Sequence, residues 1–472
     1  MKILKDSIDI QRQQKTSYED SSAKNKLETK GMHGVPSISV ASTNETSSAA
    51  SDNLMERILS RDNMLSALKR VEKNKGSYGV DRMKADELRP FLKQNWLSIK
   101  DSISKGRYKP SAVRRVEIPK PDGGMRLLGI PTVLDRLIQQ AIAQTLTNIF
   151  DPYFSNNSFG FRPGRSGHDA VKQAKEYMNQ GYKYAIDMDP DKFFDKVNND
   201  ILMHRVSKKI KDKRVLKLIR LYLQSGIMLN GIVVRSEEGT PQGGPLSPLL
   251  ANILLDDLDK ELEKRGHKFC RYADDCNIFV KSKRAGQRVM DSVTNFLENK
   301  LKLKVNKEKS AVDKPTRRKF LGFSFYNLWG KYNIRIHDKS IKRFKDKVRK
   351  ITSRSHSISI EDRIRRLNQI TTGWVNYFSI AKAKGIMQEL DEWIRRRLRM
   401  CIWKQWKKPR TKIKNLISLG VLKYKAYEWG NTRKGYWRIA NSPILSRSLT
   451  NKYLESISYQ SLSARYQKMQ LT

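Results

Sequence analysis

The most constraining feature of the sequence is a pair of adjacent aspartates between two predicted strands. The segment Arg271-Tyr272-Ala273-Asp274-Asp275-Cys276 separates the runs 267–272 and 276–280. A strand, a bend with two carboxylates and a second strand predict a β-hairpin with both carboxylates at its tip. Aspartate is common at bends because it tolerates turn geometry, so this motif alone is a weak functional signal. The residues upstream of the hairpin strengthen it.

A second acidic strand end precedes the hairpin. The strand predicted over 182–189 carries Asp187 and Asp189 on one face, because strand side chains alternate. The residues alone do not decide which of the two would bind a metal. The strand leads into Phe-Phe-Asp at 193–195, and the loop 239–248 with Thr-Pro-Gln-Gly-Gly-Pro at its centre lies between it and the hairpin. Prolines around a Gly-Gly pair predict a rigid loop whose backbone can approach a ligand closely.

Charge and composition narrow the range of partners. The chain has 472 residues, a formal net charge of +46 and a sequence pI of about 10.1, which predicts binding to nucleic acid or to an anionic membrane surface. No apolar run long enough to span a bilayer and no signal-peptide core is present, so we expect no transmembrane helix. We also expect no membrane-surface role for the basic region, because its predicted helices carry aromatic core stripes and belong to a larger fold. Three cysteines and six histidines without metal-ligand spacing fit a reducing cytosol and predict no zinc site. A metal site would consist of carboxylates, which favours Mg²⁺.

The charge is unevenly distributed along the chain. Residues 1–53 carry seven basic and seven acidic side chains and lack hydrophobic periodicity over their second half, which predicts a disordered extension. Residues 331–472 carry 34 basic and nine acidic side chains, a surplus of 25. Helical periodicity recurs there at about 338–353, 359–380 and 385–406, which predicts a helical bundle with a basic surface.

Basic residues also flank two loops in the first half of the chain. Alternating apolar and charged residues on both sides of the turn 121–124 predict a hairpin with basic arms. The loop 159–166 mixes aromatic, Arg and Gly residues, which suits contact with a phosphate backbone. For both the hairpin and the loop, the alternative to a phosphate contact is an ordinary solvated surface. The candidate phosphate contacts are Lys120, Arg126, Arg162 and Arg165.

The acidic strand end, the Pro-Gln-Gly loop and Tyr-Ala-Asp-Asp, in this order, resemble the palm of a reverse transcriptase. The basic hairpin resembles the fingers of reverse transcriptases related to group II introns, and segments 374–378 and 403–408 resemble the maturase thumb. The chain is identified as a member of the group II intron-encoded reverse transcriptases and maturases, of the bacterial type without an endonuclease domain.

This resemblance implies an α+β fold. A right-hand polymerase with fingers and an antiparallel-sheet palm over 54–330 would be followed by a helical thumb (maturase) over 331–408. A small basic DNA-binding domain would occupy 409–472.

The resemblance also implies a two-metal site. It selects Asp189, six residues before Asp195, as the ligand on its strand, together with Asp274, Asp275 and the carbonyl of Pro190. Two Mg²⁺ ions about 3.5–4 Å apart would stabilise the attacking primer oxygen and the leaving pyrophosphate. Proline replaces the aliphatic residue more usual at position 190, but it keeps its carbonyl, so we expect activity to survive.

Further roles follow from the same resemblance. Phe194 would act as the steric gate against a ribose 2′-hydroxyl, whereas Phe193 is expected to pack in the core. Lys309 would lie near the leaving pyrophosphate, with a solvated side chain as the equal alternative. The predicted nucleotide-binding residues are Lys120, Arg126, Lys192, Phe193, Phe194, Gln242 and Lys309. The predicted primer grip is Phe320, Leu321 and Gly322, and the predicted RNA- or DNA-binding residues are Arg162, Arg165, Arg395, Arg396, Arg399, Lys404 and Lys407.

The expected function is RNA-directed DNA synthesis from a DNA primer on intron RNA, with maturase binding of that RNA to promote splicing and retrohoming. The expected partners are group II intron RNA, an RNA template, primer or target DNA, and deoxynucleoside triphosphates, in the bacterial cytosol, with the protein a monomer or homodimer. One alternative is a domesticated reverse transcriptase in repair or defence. Another is an RNA-binding splicing factor without polymerase activity, against which the three intact palm carboxylates argue.

Overall fold

The computed structural model describes residues 53–119, 123–191, 193–229, 232–234 and 243–471. Three predicted nucleotide contacts, Lys120, Lys192 and Gln242, lie outside these ranges, as do residues 1–52 of the extension predicted over 1–53. The side chain of Arg126 lies outside the description as well. The chain divides into two compact units on either side of the bond between Lys314 and Pro315.

The first unit combines helices that share an apolar core with two small sheets. Its helices are α1 (Leu54–Ile58), α2 (Arg61–Asn74), α3 (Leu88–Ser104), α4 (Val133–Phe150), α5 (Gly167–Asn179), α6 (Asn199–Ser207), α7 (Lys213–Leu223), α8 (Ser247–Lys264) and α9 (Lys283–Lys300). Its strands are β1 (Val113–Pro119), β2 (Met125–Ile130), β3 (Tyr184–Met188), β4 (Ile227–Leu229), β5 (Ile232–Val234), β6 (Lys268–Tyr272), β7 (Asp275–Val280) and β8 (Ala311–Asp313). A turn of 3-10 helix over Phe193–Asp195 follows β3.

The first sheet contains the predicted basic hairpin. Its strand order is β2-β1-β4-β5, and β1 and β2 pair antiparallel with Ile118 opposite Arg126. Ile118, Leu128 and Ile130 form a small buried cluster. The alternation of apolar and charged residues in the sequence therefore corresponds to a half-exposed strand, as predicted.

The second sheet is antiparallel and positions the acidic residues. Its strand order is β6-β7-β3-β8, so the hairpin β6–β7 lies beside the strand that ends at Met188. Met188 pairs with Cys276, and both are buried in the main core together with Ile186 and Ile278. Because cross-strand partners share a face, one face of this sheet packs in the main core.

The second unit begins with an antiparallel hairpin and continues as helices. The hairpin is β9 (Phe323–Leu328) and β10 (Lys331–Ile336). The helices are α10 (Asp338–Ile351), α11 (Ile360–Phe378), α12 (Lys384–Gln405), α13 (Pro409–Ser418), α14 (Lys423–Gly430), α15 (Tyr436–Ile439), α16 (Pro443–Ser448), α17 (Asn451–Ser456) and α18 (Leu462–Leu471).

Aromatic packing and one buried carboxylate stabilise the second unit. The rings of Phe344 and Trp374 stack with centroids 4.4 Å apart, and Trp403 is also buried. The Asp391 carboxylate of α12 is fully buried and accepts hydrogen bonds from the hydroxyls of Tyr459 and Ser461. The C-terminal segment is thereby fixed to α12.

The two units together confirm the predicted α+β fold class, with an antiparallel palm sheet followed by a helical region. Among the helices that the structure describes, none has both the length and the apolar composition needed to cross a membrane.

Candidate active site

The two hairpin aspartates lie at a tight turn, as the sequence predicts. Tyr272 pairs with Asp275, which leaves Ala273 and Asp274 as the two residues of the turn. Ala273 has a φ of 58°, and a positive φ at the first turn residue matches the twist of the two strands. Both carboxylates are partly exposed. The turn therefore presents Asp274 and Asp275 at the end of the sheet.

Asp189 lies at the same end of the sheet. The antiparallel register pairs Asp187 with Asn277 and Met188 with Cys276, so its continuation by one residue sets Asp189 opposite Asp275. Asp187, Asp189 and Asp275 then share the face opposite to that of Met188 and Cys276. The carboxamide of Asn277 donates to the Asp275 carboxylate at 3.4 Å. Strands β3 and β7 thus bring acidic residues that are far apart in the chain to one end of the sheet.

The segment 304–310 fixes the backbone around Asp189. The Asp189 N–H donates to the Ser310 hydroxyl at 3.1 Å, and its carbonyl accepts from the Asn306 N–H at 2.9 Å. Pro190 is buried and forms an antiparallel bridge with Val305. The Lys309 ammonium lies 3.6 Å from the Asp189 carboxylate, although its side chain is 59% exposed. The structure therefore places Lys309 beside the predicted metal ligand.

A buried arginine lies directly beneath the hairpin turn. The Arg271 side chain is fully buried, and its guanidinium donates to both carboxylate oxygens of Asp259, at 2.7 and 2.5 Å. It also donates to the Ala273 carbonyl and to Asn252 Oδ1, each at 2.9 Å, and to the Ser158 hydroxyl at 2.8 Å. One side chain thus connects the turn to α8 and to the loop before α5.

Burial and the charge of Asp259 have opposite effects on the pKa of Arg271. Burial disfavours the charged form of Arg271, but the charge and hydrogen bonds of Asp259 outweigh it and raise the pKa of Arg271. The guanidinium is therefore charged at every physiological pH, and its geometry is bidentate, which fixes the orientation of both partners.

The loop 157–160 packs against the same turn. The Phe159 N–H donates to the Arg271 carbonyl at 2.8 Å, and the Arg271 N–H donates to the Asn157 carbonyl at 2.9 Å. A Cβ added to Gly160 would lie 2.3 Å from the Ala273 nitrogen, and the Gly160 carbonyl accepts from the Asn252 carboxamide at 2.8 Å. Glycine is required here because backbone meets backbone.

The predicted basic contacts of this loop have mainly internal partners. Arg162 is buried and donates to the Asp151 carboxylate at 2.7 Å and to the carbonyls of Ser155 and Ser158. Arg165 donates to the Asn156 carbonyl at 2.7 Å. The Arg162 side chain thus stabilises the loop from inside, and contact of Arg162 and Arg165 with nucleic acid stays a prediction.

Other predicted residues occupy separate places. Phe193 is buried in the core, while Phe194 is only partly buried and packs edge-on against it, with centroids 5.1 Å apart.

In the second unit, Phe320 is buried, and the carbonyls of Leu321 and Gly322 accept from the hydroxyls of Tyr377 and Ser340. The predicted primer-grip segment is therefore anchored by the helices of the second unit.

Three of the predicted basic residues, Arg396, Arg399 and Lys404, contact residues of the segment 436–449. Arg396 lies over the Trp437 ring at 3.8 Å, and Arg399 donates to the Leu449 carbonyl at 2.9 Å. The Lys404 ammonium is 4.9 Å from the centroid of the Tyr436 ring, and Lys407 is exposed.

The carboxylates of Asp189, Asp274 and Asp275 at this end of the sheet are chemically suited to a hard cation, because carboxylate oxygens are the ligands that Mg²⁺ prefers. Within the described ranges, however, no three His, Cys, Asp or Glu side chains are close enough together to hold a metal ion. The backbone register brings Asp189 and the hairpin together, while the side chains of these residues do not form a ligand cluster.

The hydrogen-bonded cluster of Arg271, Asn252 and Asp259 was not predicted from the sequence, although the sequence contains a signal for it. Asn252 and Asp259 are seven residues apart on α8, two turns along a face that otherwise presents leucine and isoleucine. Polar residues on an apolar stripe require buried partners. Arg271, in the buried strand β6, is the partner of both residues.

An antiparallel sheet with a carboxylate at one strand end and two more on the neighbouring hairpin turn is the arrangement that the sequence predicts for a polymerase palm. Comparison with known proteins agrees. Residues 118–325 match the family described as "Reverse transcriptase (RNA-dependent DNA polymerase)". Residues 341–418 match the family described as "Group II intron, maturase-specific domain".

Individual relatives extend this result. Protein YkfC of Escherichia coli (strain K12) is 30% identical over 297 residues, which cover 54% of this chain and 78% of that protein. Group II intron-encoded protein LtrA of Lactococcus lactis subsp. cremoris is 31% identical over 345 residues, covering 58% of this chain and 56% of LtrA. The match thus spans little more than half the length of LtrA.

The chain belongs to the family of group II intron-encoded reverse transcriptases and maturases. It carries a reverse transcriptase domain followed by a maturase-specific domain, which confirms the family expected from the palm motifs. Reverse transcriptase domains in general use divalent metal ions, and the two domains together imply intron RNA and nucleic-acid substrates.

Proposed function

We propose that this protein extends a DNA primer on an RNA template and, as a maturase, binds group II intron RNA to promote splicing and retrohoming. The observation that carries the proposal is the convergence of Asp189, Asp274 and Asp275 at one end of the palm sheet. Deoxynucleoside triphosphates are the proposed substrates. The proposed place of action is the bacterial cytosol, in keeping with the free thiols of Cys270, Cys276 and Cys401.

Asp189, Asp274 and Asp275 would hold two Mg²⁺ ions, with the Pro190 carbonyl as an additional oxygen ligand. Bound there, the ions would stabilise charge on the attacking primer oxygen and on the leaving pyrophosphate. Two ions need carboxylates from more than one strand, and the register of β3 and β7 supports this arrangement. The chain's main contribution would be to position these groups before the reaction starts.

Lys309 and Phe194 complete the proposed nucleotide site. The Lys309 ammonium contacts Asp189 while most of its side chain remains exposed, so it can reach a leaving pyrophosphate. Phe194 is half-buried against the core and would limit the space beside the ribose. Lys120, Arg126, Lys192 and Gln242 remain proposed contacts from the resemblance alone.

The second unit would supply the maturase and DNA-binding functions. Residues 331–472 carry a surplus of 25 positive charges, which favours the release of counterions from a phosphate backbone on binding. We assign intron RNA chiefly to the thumb over 331–408 and target DNA to 409–472. Arg395, Arg396, Arg399, Lys404 and Lys407 are the proposed contacts.

Primer extension on an RNA template with Mg²⁺ tests this proposal, with the parent compared with Asp274→Asn. The substitution keeps the size of the side chain and removes its charge, so extension should fall at least about 10³-fold, as expected when a metal ligand is lost. Binding of structured intron RNA should stay within about twofold of the parent, because the second unit is unchanged.

The outcome of this test separates the alternatives. A parent that binds intron RNA tightly but never extends a primer would favour a splicing factor without polymerase activity. A parent that extends primers but has no preference for intron RNA would favour a domesticated reverse transcriptase.

A further inference from the structure

A short turn beside the predicted metal ligand is organised by one carboxamide. Residues 307–309 form a turn after Asn306, whose Oδ1 accepts hydrogen bonds from the N–H groups of Glu308, at 3.1 Å, and Lys309, at 3.2 Å. A side-chain oxygen that accepts backbone N–H groups two and three residues ahead fixes such a turn locally. The Asn306 carboxamide thereby determines where the backbone of Lys309 lies.

The backbone of Asn306 connects the same turn to Asp189. Its N–H donates to the Asp189 carbonyl at 2.9 Å, and its carbonyl accepts from the Ser310 N–H at 2.9 Å. The Ser310 hydroxyl accepts from the Asp189 N–H at 3.1 Å. Three hydrogen bonds thus join Asp189, Asn306 and Ser310 in a closed ring, and Lys309 lies on the chain between the last two.

The ion pair between Lys309 and Asp189 is too exposed to define the position of the lysine by itself. The Lys309 side chain is 59% exposed and that of Asp189 is 39% exposed, with 3.6 Å between ammonium and carboxylate. Such a pair contributes little, because water screens the charges and ordering a long side chain costs conformational entropy. A fixed backbone reduces the volume that the ammonium samples, so the turn keeps it beside Asp189.

We propose that Asn306 is a positioning residue for Lys309 in primer extension. By fixing the turn 307–309 to the backbone of Asp189, Asn306 keeps the Lys309 ammonium where it can meet the leaving pyrophosphate. The proposal rests on the proposed polymerase function and deepens it, because it names the residue on which the action of Lys309 depends. Asn306 itself contacts neither nucleotide nor metal in this proposal, so its whole effect is exerted through Lys309.

Three substitutions test the role of the carboxamide. Asn306→Leu keeps the approximate size of the side chain and removes the acceptor, while Asn306→Asp keeps an oxygen that can accept both N–H groups. Asn327→Leu is the matched control, because Asn327 Oδ1 accepts from the Gly330 N–H at 3.1 Å in the exposed turn between β9 and β10. Asn306 is only partly buried, so circular dichroism should show the parent's fold in every variant.

Carbodiimide cross-linking measures the position of Lys309 without catalysis. The reagent joins an ammonium and a carboxylate in contact as an amide, with loss of water, and mass spectrometry of the peptides quantifies the product. The parent and Asn327→Leu should both give the cross-link between Lys309 and Asp189. Asn306→Leu should lower its yield at least about fivefold, because a lysine on an unfixed turn samples more positions. An undiminished yield in Asn306→Leu, or no such cross-link in the parent, would overturn the proposal.

A double-mutant cycle in single-turnover primer extension tests whether Asn306 acts through Lys309. Asn306→Leu should slow extension about tenfold, as expected for Lys309→Gln, and Asn306→Asp should recover most of that loss. The double variant Asn306→Leu/Lys309→Gln should stay within about twofold of Lys309→Gln, because a lysine that is absent cannot be misplaced. Multiplied losses of about 100-fold would mean that Asn306 acts on another group, such as Asp189, and would overturn the proposal.

The two measurements separate this proposal from the polymerase function. A parent that extends no primer refutes the polymerase function, while the cross-link still shows whether Asn306 fixes Lys309. A parent that extends primers, together with an unchanged cross-link in Asn306→Leu, refutes only the positioning role of Asn306.

Discussion

The buried pair of Arg271 and Asp259 makes a quantitative prediction about the active site. Replacing Arg271 with methionine keeps an unbranched side chain but removes every hydrogen bond of the guanidinium. Asp259, which is fully buried, then has no counter-charge, and loss of one partner of a buried ion pair typically costs about 3–5 kcal/mol. The Ala273 carbonyl and Asn252 Oδ1 lose their donor as well. We expect a loss of at least about 3 kcal/mol in the free energy of unfolding of the first unit.

The double variant Arg271→Met/Asp259→Leu separates the ion pair from the rest of the cluster. Replacing both charges with apolar residues removes the uncompensated carboxylate, so at least about half of the lost stability should return. Activity should not return, because the Ala273 carbonyl has no donor in either variant and the turn that carries Asp274 is no longer fixed. A misplacement of about 1 Å lowers kcat about 10²-fold, while KM for the nucleotide should change little.

Hydrogen exchange of peptides from 259–280 measures the stability of this region separately from the second unit, and primer extension measures activity. A loss below about 1 kcal/mol in Arg271→Met would refute the reasoning, because it would mean that the guanidinium is not the main partner of the buried Asp259. A double variant as unstable as the single one, or one with restored kcat, would refute it too.

Three further predictions follow from local geometry. Gly160→Ala should reduce primer extension at least about tenfold, because the added Cβ would lie 2.3 Å from the Ala273 nitrogen, whereas Gly385→Ala, where nothing lies within 4 Å, should be neutral. Burial raises the pKa of Asp212, but hydrogen bonds from Arg214 and from the Met55 N–H outweigh it and hold the pKa below the ordinary 3.8. Its stabilisation is therefore complete above that value and lost as pH falls through the lowered pKa, so Asp212→Asn should cost about 1–3 kcal/mol at neutral pH and progressively less in acid, measured by urea unfolding. Lys309→Gln should slow extension about tenfold by weakening pyrophosphate departure, and an equal effect of Lys307→Gln would contradict this.

Much of the palm could be predicted from the sequence because strand alternation and turn residues involve only residues that are close together in the chain. Strand alternation and turn residues located β3, β6 and β7 within one or two residues. The register follows from the apolar face, since a shift of one residue would expose Met188 and Cys276 and bury the aspartates.

The supporting contacts could not be predicted because their partners are distant in sequence. Ser158 and Arg271 are 113 residues apart, and only the fold brings the loop before α5 beneath the hairpin turn. Helix α3 was not predicted either, because only Leu88 and Ile103 of its 17 residues are buried and the apolar periodicity is weak. Arg162 has the sequence context of a phosphate contact, yet its guanidinium is enclosed by carbonyls of its own loop.

The central claim is that carboxylates from two strands hold the same pair of metal ions. The most direct test replaces Mg²⁺ with Fe²⁺, adds hydrogen peroxide and ascorbate, and maps where radicals formed at the bound iron cleave the chain, so the test does not depend on polymerase activity. Cleavage is expected both near Asp189 and near the turn at Asp274, with both cuts lost in Asp274→Asn and retained in Asp313→Asn, a control on the edge strand β8 opposite Ala185. Cleavage at only one of the two places, or cuts that survive Asp274→Asn, would contradict a shared metal site.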